Sequence, residues 1–165
     1  MRLSRPQTQP PSTNPPLTRF RLACTSWWAC HLLGGVAVAV NAWLTPEAFY
    51  HCVSITEPRA LIVDAERAEV LGPKVASLRS LGCSSLLAAR APAPPAGFEP
   101  FVAALEAHEP EAFPRAEIGP EDDAIIFFTS GTTSLPKGVL STQRQYLSNR
   151  WNTCLLYTSP SPRDS

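Results

Sequence analysis

Two adjacent glycines, Gly34 and Gly35, constrain this chain most, because they cut its longest apolar stretch, Ala23 to Leu44, into two pieces. Uncut, that stretch could cross a bilayer, for which about 20 apolar residues suffice. Cut, its first part reads as a helix stopped by glycine, and Val36-Ala-Val-Ala-Val40 as a buried strand rich in β-branched residues. A membrane anchor is set aside on that ground. Helix, glycine turn and all-apolar strand make half of a parallel α/β unit, whose strands are covered on both faces.

The alternation continues downstream. Thr45-Pro46-Glu47 opens a helix to about Thr56, with Thr45 as N-cap, Pro46 at the first helical position and Glu47 in the first turn. Ala60 to Asp64 is a second strand. Asp64, at the end where open α/β sheets bind ligands, is read as the cap of the next helix and not as a ligand group. That helix covers Ala65 to Leu81, is interrupted at Gly72-Pro73, and stops at Gly82. Ser84 to Ala88 is a weaker third strand, and Ala91 to Gly97 a proline-rich loop. Phe98 to Ala107 is amphipathic, with Phe101, Val102 and Leu105 facing one way. Ala124 to Phe128 is a further apolar strand, Val139-Leu140 another, and Thr142 caps a helix to Trp151. The fold class is α/β, alternating helices and mostly parallel strands.

Charge and cysteine content exclude several functions. The chain has 14 basic and 14 acidic residues, so nothing recommends a nucleic-acid partner. Its five cysteines lack C-x-x-C spacing, which favours a reducing, intracellular and cytoplasmic setting over a disulfide framework. Peroxisomal, organellar or membrane-associated locations stay open. Cys30-His31 and His51-Cys52 do not make a metal site, because adjacent residues point apart. His31 is read as a core or helix-end histidine, and Asp122 and Asp123 as solvated carboxylates.

The chemistry lies in the loop after the Ala124 strand. Thr129, Ser130, Thr132, Thr133 and Ser134 offer hydroxyls, Gly131 and Gly138 allow a backbone to approach closely, and Lys137 adds a cation. That set suits a phosphate grip. It is not a Walker A loop, which ends Gly-Lys-Ser/Thr, whereas this one runs Lys137-Gly138-Val139. The order Thr-Ser-Gly-Thr-Thr-x-x-Pro-Lys-Gly resembles the signature loop of the adenylate-forming enzymes: acyl-CoA synthetases, luciferases and peptide-synthetase adenylation domains. Trp28, His31, Gly34, Gly35, Asn41, Trp43 and Leu44 are similar to a segment of the acyl-CoA synthetase branch. Two positions depart from the pattern, Ser134 where glycine is usual and Gln143 where many members carry histidine.

The resemblance implies an incomplete piece of the large N-terminal domain of such an enzyme. It implies ATP, Mg2+ and coenzyme A as cofactors, a small-molecule carboxylic acid, most simply a fatty acid, as substrate, and Thr129 to Ser134, Lys137 and Gly138 as holders of the ATP phosphates. An aryl-CoA ligase, an adenylation domain and a non-enzymatic phosphate-binding or interaction module are the alternatives. No catalytic residue and no specific protein partner are assigned, since the family's catalytic segments lie beyond Trp151. Residues 1–22 read as a disordered or non-native leader and 23–153 as the partial AMP-binding domain. Residues 154–165 resemble the translation of a transposon-based sequencing adapter and read as a non-native tail. As it stands, the chain is expected to lack ligase activity and, with an unfinished sheet, to be poorly soluble.

Overall fold

The computed structural model describes residues 16–109, 115–129 and 135–158, with side chains from 22 to 151. Helix α1, Pro16–Leu32, opens on a proline, whose missing N–H costs nothing at a first helical position. It therefore starts inside the stretch expected to be disordered. Its end follows the glycine pair. Gly34 turns left-handed at φ +70, its N–H bonds the His31 carbonyl at 3.0 Å, and the Gly35 N–H reaches back to the Cys30 carbonyl at 2.9 Å. A Cβ on Gly35 would lie 3.0 Å from the Cys30 sulfur, so the second glycine answers crowding. No described helix is long and apolar enough to cross a membrane.

Strand β1, Ala37–Ala39, follows, and then helix α2, Pro46–Thr56, whose cap Thr45 accepts the Ala48 N–H at 3.3 Å. β2 is Ala60–Asp64 and α3 is Ala65–Leu71. Asp64 caps α3 as expected, accepting the Arg67 N–H at 3.0 Å. Gly72–Lys74 tightens into a 3-10 turn around Pro73 before α4, Val75–Ser80. Next come β3, Ser85–Ala89, a short β4, Glu99–Pro100, and α5, Phe101–Glu106. The apolar stripe of α5 differs from expectation: Val102 and Leu105 are exposed and only Phe101 and Ala104 are half-buried. Helix periodicity marks a shared face without saying what covers it. β5, Asp123–Thr129, β6, Lys137–Thr142, and α6, Gln143–Thr158, complete the order. α6 runs without a break across residue 154, where the sequence suggested a boundary.

The strands form two three-stranded sheets, β1-β5-β6 and β2-β3-β4. β2, β3 and β4 are parallel, and β1 is parallel to β5 with Ala37 opposite Ile125. The β5-β6 pair alone is antiparallel among the described strands. Around the β2-β3-β4 sheet sits the main core, in which Val53, Leu71, Leu78 and Leu86 are all but inaccessible and Phe49 and Phe98 are buried with them. The other sheet has a smaller core of Ala37, Ala124 and Ile125, flanked by Trp27, Cys30 and Tyr146.

Candidate functional site

In sequence the phosphate-loop residues join β5 to β6. Ser130, Gly131, Thr132, Thr133 and Ser134 lie outside the described residues; Thr129, Lys137 and Gly138 form the stem. Thr129 pairs with Lys137 and Phe128 with Gly138. The Thr129 hydroxyl donates a long 3.4 Å bond to the Lys137 carbonyl, which ties the mouth of the loop shut. Pro136 is buried, whereas the Lys137 side chain is exposed and has no ion-pair partner among the described residues. Its ammonium is thus available to an anion.

Gly138 has a packing role in this stem. A Cβ there would meet the Ile126 side chain at 3.1 Å and the Phe128 ring at 3.4 Å. The aromatic ring lies over the cross-strand glycine, an arrangement in which it fills the space the missing side chain leaves.

The other end of the hairpin is fastened by the start of α6. Thr142 and Gln145 form a capping box: the Gln145 Oε1 accepts the Thr142 N–H at 3.0 Å, and the Thr142 hydroxyl oxygen accepts the Gln145 N–H at 3.4 Å. The Gln143 and Arg144 N–H groups bond the carbonyls of Asp122 and Pro120, each at 2.9 Å. Arg144 also pairs with Glu121 across the turn. All three first-turn donors of α6 are therefore satisfied internally, so this helix N-terminus is not free to hold a phosphate.

An aromatic group whose members the sequence did not connect joins α1 to β5 and α6. Trp27 stacks on Phe127 of β5 (centroids 5.9 Å, planes 20° apart), and His31 stacks on Tyr146 of α6 (5.6 Å, 9°). Trp27 also meets His31 edge-on at 5.2 Å. The available signal was the i, i+4 spacing of Trp27 and His31, which places both rings on one helix face. Burial lowers the His31 pKa below its ordinary value and raises those of the Cys30, Cys52 and Cys83 thiols, with Arg79 opposing the rise at Cys83. These thiols stay protonated at neutral pH and are poor nucleophiles.

The remaining candidates fall elsewhere. Asp64 holds the Arg67 and Arg90 guanidinium groups at 3.4 and 3.7 Å, while Arg67 donates to the Ala42 carbonyl at 2.6 and 3.1 Å. That knot fastens the turn after β1 to the end of β2. Asp122 is exposed and accepts the Gly119 N–H at 2.7 Å. Two clefts of about 140 and 240 Å³ lie between α2 and α3, away from the hairpin. Among the described residues no three His, Cys, Asp or Glu side chains gather to hold a metal.

The mixed α/β architecture with mostly parallel strands matches the N-terminal domain of adenylate-forming enzymes. The chain belongs to the AMP-binding enzyme family, whose pattern it follows over residues 21–164. It is 33% identical over 121 residues to a Bacillus subtilis (strain 168) protein carrying an acyl-CoA ligase name, covering 73% of this chain and 23% of that one. It is 31% identical over 127 residues to a 4-coumarate-CoA ligase of Narcissus pseudonarcissus, covering 75% and 22%. Among solved structures, an anthranilate CoA ligase in complex with anthranoyl-AMP superposes with a TM-score of 0.61 at 26% identity, over 76% of this chain and 24% of that one. The chain thus spans about a quarter of the length of the relatives it matches.

Proposed function

We propose that this chain is the phosphate-holding part of an ATP-dependent carboxylic-acid–CoA ligase that works through an acyl-adenylate. The observation that carries this is the stem: Thr129 and Lys137 are paired across the hairpin mouth, with an exposed, unpaired ammonium beside a loop rich in hydroxyls. In the reaction proposed, a carboxylate oxygen bonds to the α-phosphorus of ATP as the bond to pyrophosphate breaks, and the thiol of coenzyme A then displaces AMP. This chain's share is to hold the β- and γ-phosphates, with Lys137 offsetting their charge. The described residues assemble no holder for the Mg2+ that the family resemblance implies, and no step is assigned to it.

For the acid we favour a fatty-acyl group, supported by the likeness of Trp28 to Leu44 to that branch. Relatives named for 4-coumarate and anthranilate support an aryl acid as the second reading. We place the protein inside the cell, in the cytoplasm, on cysteine spacing alone.

Calorimetric titration of the 165-residue chain with ATP, AMP and adenosine tests the phosphate reading. ATP should bind tightest, and Lys137→Ala should weaken ATP while leaving adenosine unchanged. Equal binding of ATP and adenosine, or indifference to Lys137→Ala, would sink it. The chain should form no acyl-CoA from ATP, acid and coenzyme A. A fatty acid that shifts the hairpin's NMR signals where 4-coumarate does not would favour the fatty-acyl reading, and the reverse result the aryl one.

A further inference from the structure

His31 is the one charged-type side chain buried among the described residues, at 8% exposure, and its Nε2 has no hydrogen-bond partner. A lone pair can be left in such a place at modest cost. A buried N–H⁺ with no acceptor costs far more, since the desolvation penalty of a charged donor then goes uncompensated. The surroundings supply no counter-charge. α1 carries no charged side chain between 22 and 30, and α6 presents Tyr146 to the ring, with Arg150 a turn further on. Arg144 is taken by Glu121, and β6 contributes Lys137. On β5 the carboxylate, Asp123, is four residues from Phe127, roughly 13 Å along the strand. Beside the end of α1, where Ala116 and Ile118 approach Gly34, the flanking Arg115 and Glu117 are exposed. None of these makes an ion pair with His31.

The ring is also well placed mechanically. It touches Tyr146, in the first turn after β6, and through Trp27 it reaches Phe127, two residues before the loop begins. We infer that His31 is a positioning residue for the stem of the β5-β6 hairpin: its neutral ring clamps α1 to β5 through Trp27 and to α6, the helix that continues from β6, through Tyr146, and a proton on that ring loosens the clamp. This rests on the phosphate reading for its link to function, though the clamp itself does not. A cation over an aromatic face is attracted by the ring's quadrupole, which would favour protonation on Tyr146. Burial opposes it and prevails, as the lowered pKa of His31 indicates.

The test follows the His31 ring and the amides of Thr129, Lys137 and Gly138 by NMR in the 165-residue chain, between pH 7.5 and 5. The hairpin amides should shift together with the His31 titration below pH 6.5, and ATP affinity should drop about tenfold over that span. In His31→Phe, which stacks but does not titrate, the coupled shifts should vanish, and ATP affinity should fall only as far as protonation of ATP itself requires. If His31→Phe does not fold, His31→Gln carries the same expectation. Hairpin shifts that persist in the variant, or a His31 titration that leaves the hairpin unmoved, would overturn the inference. ATP that fails to bind at any pH would overturn the phosphate reading alone, while the amide shifts still decide the clamp.

Discussion

The β2-β3-β4 sheet and the β1-β5-β6 sheet start from equally apolar strands and acquire different interiors. The first is wrapped by α2, α3 and α4 and gathers eleven buried side chains around it. The second gathers three among the described residues, and Phe127, Val139 and Leu140 on its strands remain 45%, 50% and 50% exposed. One side of it is met by α1 and α6; on the other, Ile126 and Phe128 are half-buried and Leu140 is exposed. The site-bearing sheet is therefore the one least held by its own core. Its geometry depends on local fasteners: the capping box, the Asp122 and Pro120 carbonyls, and the aromatic clamp.

The widest gap should appear between core truncations. Leu71→Ala, at a fully buried site, should cost about 2–5 kcal/mol by urea unfolding, through lost transfer energy and the cavity left behind. Val139→Ala, half exposed on the other sheet, should cost within about 0.5 kcal/mol. Comparable losses at the two positions would break the contrast. Thiol labelling reads it independently. The buried Cys52 and Cys83 should react with a disulfide reagent only on opening, well after the half-buried Cys24. Because burial raises the Cys52 and Cys83 pKa values, the unfolded chain loses those protons first. Stability should therefore be intact below pH 9 and fall as pH rises beyond it.

Next in size is the fastener. Thr142→Ala removes the side-chain half of the capping box and should cost about 1 kcal/mol. The loss should show as faster amide exchange confined to the start of α6 and the hairpin stem. Exchange that rises equally in α3 would mean that the two sheets open as one unit.

How far these features were legible from sequence depends on whether their cause is local. Thr45, Asp64 and Thr142 are caps because a hydroxyl or carboxylate precedes a helical run, and all three accept the N–H groups expected of them. The strands at Ala60 and Asp123 were legible for the same reason. The exposure of Val102 and Leu105 was not, because burial is decided by what other elements cover. The clamp was hidden likewise, since Trp27, Phe127 and Tyr146 meet across about a hundred residues of chain. Lys137 was visible as a cation, but only the hairpin register shows it opposite Thr129.

One added methyl group separates the two sheets again, and at Gly138 it should have the smallest effect of all. Gly97 has φ +93, and a Cβ there would fall 2.5 Å from Val75 Cγ1, so Gly97→Ala must strain the backbone and displace a core-flanking side chain. A cost of about 1–3 kcal/mol follows. At Gly138 the backbone is not left-handed, and the nearest atoms are the Ile126 methyl at 3.1 Å and the Phe128 ring edge at 3.4 Å. Both are side-chain atoms of half-buried residues, and a shift of a few tenths of an ångström relieves the contact. Alanine also loses less backbone entropy than glycine in a strand, a gain of roughly 0.5–1 kcal/mol that offsets the crowding. Gly138→Ala should therefore leave unfolding free energy almost unchanged while shifting the Phe128 ring signals. A large destabilisation by Gly138→Ala would mean that Ile126 and Phe128 are held rigidly, and that the contrast between the two sheets is smaller than their buried side chains suggest.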